Sequence, residues 1–193
     1  MSAQRRYPSE VKIEKAKIGL REHLQSLRAN GLGHLVEYPR SQNQIQTRDS
    51  FANAWKQLDP EIIHFLGSWR DYESIWNIYP SATKGQVCII RRSSDYASFD
   101  LGEVKNGKIY TQSGQVIFPE DKYLGVLSAK TESINEVPLH SPMPLKDPSS
   151  FEYIDNSFNP TQVIRSYEQA GCTYSLLSST TTSNLTNIFF ENK

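Results

Sequence analysis

Ile13, Ala16, Leu20, Leu24 and Leu27 return at steps of three and four residues between Pro8-Ser9 and Asn30-Gly31. That spacing predicts an amphipathic helix, started by Pro8-Ser9 and stopped by the Asn-Gly pair. Residues 36–49 are polar and Gln-rich without a sustained period, so they read as a connector. A short second helix is expected next, because Ser50 can cap it and Phe51, Ala54, Trp55 and Leu58 fall on one side. Asp59-Pro60 is a further helix-start signal. Between Ile62 and Tyr79 two templates compete. On a helix, Ile62, Phe65, Leu66, Trp69, Tyr72, Trp76 and Tyr79 form one aromatic stripe; on a strand, the helix stops near Gly67 and an extended, aromatic-rich segment runs on to Pro80. A glycine inside a helix costs about 1 kcal/mol relative to Ala. The favoured reading is therefore helix to Leu66, then strand.

From Gln86 onward the pattern is mostly β. Gln86–Arg92 is β-branched and apolar, Tyr96 to Val104 alternates, and Asn106-Gly107 before Ile109 is a two-residue hairpin signal. Ser113-Gly114 and Pro119-Glu120-Asp121 supply further turns ahead of strands at 115–118 and 122–128. Residues 138–150 hold four Pro and are expected to run over the surface as a linker or lid rather than as a central strand. Strands are expected again at 151–154, 162–168, 173–180 and 185–191, with the alternative that Asn159-Pro160 starts a short helix through Tyr167. The fold class is thus mainly β (α+β), N-terminal helices followed by an antiparallel meander sheet or closed barrel. The chain divides into a helical segment at 1–58 and an antiparallel β region at 59–193 with the Pro-rich insertion.

Charge adds one asymmetry. The chain of 193 residues balances 21 Lys and Arg against 21 Asp and Glu, yet its first 30 residues carry seven basic and three acidic side chains, leaving net −4 on the rest. This argues against a general nucleic-acid-coating role, which needs surplus cations to neutralise phosphates. The polar start and the lack of a run of about 20 apolar residues point to a cytoplasmic protein without a membrane span. Cys88 and Cys172, the only two cysteines, read as buried free thiols.

Phe65-Leu66-Gly67-Ser68-Trp69-Arg70 resembles the Gly-x-Trp opening of calycin barrels, the lipocalin and fatty-acid-binding-like families. Ile164-Arg165-Ser166-Tyr167, followed by Gly171 and Tyr174-Ser175-Leu176, is similar to their late hairpin. The resemblance implies a barrel able to host an apolar or amphipathic ligand, with Trp69 at the closed end and Arg91 or Arg165 available to an acidic group. Trp69, Tyr72, Trp76, Arg91, Arg165 and Tyr167 are the candidate ligand-binding residues.

Two other chemistries have weaker support. Asp95, Asp100 and Glu103-Val104-Lys105 resemble the Glu-x-Lys pattern of magnesium-dependent restriction-type nucleases, where two carboxylates hold the metal. Arg91-Arg92 beside Tyr96 and Phe99 could stack single-stranded nucleic acid. His23, His34, His64 and His140 lack metal-ligand spacing, and neither a nucleophile elbow nor a phosphate loop occurs. The expectation is a non-enzymatic binding protein without cofactor. It would be either a protein-interaction or regulatory module, with a protein partner or a second copy of itself, or a carrier of a small apolar ligand.

Overall fold

The computed structural model describes residues 7–94, 96–129, 138–151 and 160–175. Eight antiparallel strands form one sheet that curls into a nearly closed barrel. They are β1 (Gly67–Arg70), β2 (Ile75–Pro80), β3 (Gln86–Arg92), β4 (Ala97–Lys105), β5 (Lys108–Thr111), β6 (Gln115–Glu120), β7 (Tyr123–Ser128) and β8 (His140–Met143). β1 to β7 follow one another as a meander, and β8 returns to lie on the far side of β1. Among the described residues the circle is completed by one bridge, in which Leu124 and Leu139 exchange both backbone bonds at 2.9 Å. Among the described residues three α-helices accompany the barrel: α1 (Glu10–Ala29), α2 (Gln42–Trp55) and α3 (Pro160–Gln169).

Residues opposite one another in the ladder share a face, so the pairing fixes which side chains point inward. Trp69 pairs with Trp76, Ile78 with Ile89, Val104 with Ile109 and Ile109 with Ile117. All belong to one buried cluster that also takes in Trp55, Ile62, Phe65 and Leu66 from below. Gly102 is part of this fit: a Cβ there would stand 2.2 Å from the Ile109 side chain. Outward residues are covered by helices. α1 buries Ile13, Ala16, Leu20 and Leu24 against Val116, Phe118, Tyr123 and Leu127, and α3 lays Val163 and Tyr167 against Tyr79, Ile90 and Ala97. The apolar stripe of the basic N-terminal helix is thus occupied by the barrel's own outer wall.

Several expectations change. Gln42–Trp55 is one helix capped by Ser41, so most of the presumed connector is helical; the Ser41 and Gln44 side chains each bond the other's backbone amide. Residues after Asp59 form turns rather than a helix, and the extended reading of Gly67 to Pro80 holds with a turn at 71–74 dividing it into β1 and β2. The Pro-rich segment supplies β8, the strand that closes the barrel. Pro142 is tolerated because ladder partners fall on His140 and Met143 around an irregularity, and the Pro142 carbonyl is turned out to Arg40. Residues 162–168 lie in α3, the helical alternative, and not in a late hairpin. The strands expected at 185–191 and over most of 151–154 and 173–180 fall outside the described residues.

Cys88 and Cys172 are bonded to each other and are not free thiols. Cys88 points outward from β3, where the end of α3 docks, so the bond pins that helix to the wall. With the cysteines 84 positions apart, loop-closure entropy gives a stabilisation of roughly 4.5 kcal/mol. Urea unfolding with and without dithiothreitol should differ by about this amount. Identical midpoints would show that the link does not constrain the unfolded chain.

Candidate binding site in the barrel

The two ends of the barrel differ in character. At the end bearing the turns after β2, β4 and β6, the interior is filled by Trp69, Ile78, Val87, Ile109, Ile117 and Leu124, each at most 4% exposed. Towards the other end the inward positions become polar. Arg91 pairs with Trp76 and Ser98, Asp100 with Ile89, and Gln115 with Ser128. Arg91, Asp100, Gln115 and Ser128 are half-buried and Ser98 is exposed. The molecule is therefore a cup, dry at its base and wet at its mouth.

The closed base is held by Arg48 of α2. Its side chain, 15% exposed, donates Nε to the Leu66 carbonyl at 2.7 Å and one terminal nitrogen to His64 at 3.2 Å, while the other terminal nitrogen meets Asp49 at 3.1 Å. Its guanidinium carbon lies 5.9 Å from the Trp69 ring centre. Trp69 in turn donates its indole N–H to Phe65 O at 2.7 Å. Trp69 is thus a buried member of the base.

Trp76 and Arg91 form the boundary between the dry and wet halves. The guanidinium of Arg91 lies 4.9 Å from the Trp76 ring centre and 5.2 Å from that of Tyr96. Ser74 Oγ accepts from Arg91 Nε at 3.3 Å and from Trp76 Nε1 at 3.0 Å, and donates to Asp71 Oδ2 at 2.7 Å. Asp71 also accepts from the Glu73 amide, and Asp100 accepts from the Ser113 amide. Among the described residues no carboxylate lies within ion-pair distance of Arg91. Among the described residues, four of its five N–H donors have no hydrogen-bonded protein partner.

No family model, no curated protein and no solved structure matches this chain. The site therefore stands on its own geometry.

Of the six expected ligand-binding residues, the barrel brings together Trp69, Trp76 and Arg91. Tyr72 is 73% exposed at the tip of the β1–β2 turn. Arg165 is exposed on α3, and Tyr167 is buried on the barrel's outer side, its ring edge-on to Tyr79 at 5.0 Å. Burial drives the Tyr167 hydroxyl pKa upward, with the nearby Asp147 charge adding to it. Both were expected to point inward from a hairpin, but α3 places them outside. The alternative chemistries lose their geometry as well. Asp100 faces inward while Glu103 and Lys105 face outward, paired to each other at 2.8 Å, so the two carboxylates cannot share one ion. No group of metal-ligating side chains occurs among the described residues. Asp95 lies outside them. Arg92 sits over Phe151 on the outer wall, opposite in direction to Arg91, so the Arg-Arg pair makes no continuous surface for bases. Sequence reasoning missed Arg48; the Ser-x-x-Gln capping signature at Ser41–Gln44 would have placed it on a helix.

Arg48→Met should lower stability by about 2–4 kcal/mol, since it strips charged donors from buried carbonyls. Thermal or urea unfolding measures this, and a loss below about 0.5 kcal/mol would mean that the base does not depend on Arg48. His140, 4% exposed in β8, has its pKa lowered first by burial and next by the Arg70 charge. The unfolded imidazole takes up a proton from about pH 6.5 downward, whereas the native one does so only at lower pH. Stability should therefore fall as pH drops below about 6.5, and His140→Asn should flatten that slope in urea titrations at pH 7.5 and 5.5.

Proposed function

We propose that the chain is a non-enzymatic binding protein whose barrel mouth holds a small amphipathic acid. The observation that carries this reading is Arg91: a half-buried cation on the inner wall, over the rings of Trp76 and Tyr96, with no carboxylate within ion-pair distance among the described residues. An acid group offered to those free N–H donors would make charge-assisted, bidentate bonds in a site partly screened from water. The apolar part of the ligand would lie beside Tyr96 and the rim of Trp76. Because the base is packed with large side chains, the ligand is short rather than a long acyl chain reaching the barrel floor.

The eight-stranded antiparallel barrel and its Gly67-Ser68-Trp69 opening support a calycin-like carrier over a protein-interaction module. So does the use of the N-terminal helix's apolar stripe within the molecule. The Cys88–Cys172 bond supports an oxidising compartment and weighs against the cytoplasmic placement expected from the N-terminal sequence.

Octanoate titrated calorimetrically should bind, and Arg91→Gln should weaken it by roughly tenfold or more, the value of one charge-assisted contact. Octanol should bind no better to the wild type than to the variant. Equal octanoate affinity for both proteins, at unchanged melting temperature, would refute the assignment.

A further inference from the structure

A second recess lies at the base of the barrel, on its flank. Past the Leu124–Leu139 bridge, β8 continues along β1 while β7 has already ended in the turn from Glu120 to Tyr123. The sheet is open there, and the segment Val36–Arg40 crosses the gap. It is fastened at three points: the Tyr38 amide donates to Ser141 Oγ at 2.9 Å, Arg40 to the Pro142 carbonyl at 2.9 Å, and Lys122 to Glu37 at 2.8 Å. Beneath it is a cleft of about 600 Å³ that reaches Trp69 and Leu124 of the barrel interior. This volume falls within the ordinary range of small-molecule sites, and the wall mixes apolar and polar surface in nearly equal parts.

The lining holds three Lys and Arg cations and three carboxylates, but they do not pair one to one. Lys122 is neutralised by Glu37, and Arg48 by Asp49 together with its carbonyls. Asp121, the remaining carboxylate of the lining, interacts electrostatically with Arg28, a residue outside the cleft, and makes no ion pair with Arg40. Arg40 has one carbonyl acceptor and no carboxylate within ion-pair distance among the described residues. Arg70 close by, which lies over the Tyr38 ring at 4.6 Å, likewise has no carboxylate within ion-pair distance among the described residues. The positive field of Arg40 is felt by its neighbours, since it adds to the lowering of the pKa of both Arg48 and His140.

We propose that this flank cleft is a second binding site, distinct from the mouth, for a small molecule with a planar apolar body and one oxyanion group, carboxylate or phosphate. The oxyanion sits on Arg40, and the body slides under Val36–Arg40 against Pro119, Leu124 and Pro142. Arg91 is not part of this lining: it lies on β3, separated from Trp69 of the cleft by Trp76 of β2.

The test uses 2-naphthoate and 2-naphthyl phosphate as probes, with 2-naphthol as the uncharged control, on the whole chain. Backbone amide shifts in the wild type should concentrate at residues 36–40, 119–124 and 139–143. Arg40→Gln should weaken the better probe at least tenfold, Arg40→Lys should recover part of the loss, and Arg91→Gln should leave it unchanged. The probe that binds more tightly identifies the oxyanion class. Absence of binding by both probes at millimolar concentration, shifts confined to the mouth, or an affinity sensitive to Arg91 and insensitive to Arg40 would each overturn the proposal. None of those results alters the octanoate titration at the mouth, so the two sites fail separately.

Discussion

Everything in this molecule follows from how the base of the barrel is filled. An eight-stranded barrel is just wide enough for its own side chains to occupy the interior, and here two indoles, Trp69 and Trp76, meet across neighbouring strands at its centre. The end of α2 adds Trp55 and the turns before β1 add Ile62, Phe65 and Leu66 from below, and Arg48 ties the Leu66 and His64 carbonyls down. Once that plug is in place, the strands above it have no apolar partner left to receive, and the inward positions of the upper half turn polar. The cup is a consequence of a base filled too well for the sequence to fill the whole tube.

Helices and covalent link complete the same logic on the outer wall. Each strand buried on its inner face must also cover its outer apolar residues, and α1 and α3 do this on different sectors of the barrel. α3 is only ten residues long, too short to persist alone in water, and the Cys88–Cys172 bond together with Val163 and Tyr167 keeps it seated. The seam between β7 and β8 is the weak point of the design. Among the described residues it is held by one bridge, and the chain spends the Val36–Arg40 crossing on covering the gap below it.

Much of the architecture was legible before the fold was known. α1 begins after Ser9 and buries Ile13, Ala16, Leu20 and Leu24, the residues its period marks, because a lone amphipathic stripe has a single solution. The meander from Gln86 to Ser128 was readable through its alternation and its Asn-Gly turn. β8 was not, since Pro142 argues against a strand unless one knows that a ladder irregularity leaves its nitrogen unneeded. α3 was ambiguous because Val163 and Tyr167 suit either a strand or a helix, and only tertiary packing decides between them. The disulfide was invisible for a related reason: a separation of 84 residues says nothing about proximity. At the site, Arg91 and Trp76 were recoverable from strand alternation, whereas Arg40 and Arg48 come from a segment whose polar composition hid its structure.

The central claim is that the mouth of the barrel leaves Arg91 free for an acid. A crystal structure of the protein grown with octanoate tests it most directly. The account predicts a carboxylate within hydrogen-bonding distance of the Arg91 guanidinium, above Trp76, with Asp71 still bound to Ser74. A structure in which Arg91 pairs with Asp71 or Asp100, and the mouth is closed by the protein's own side chains, would contradict it.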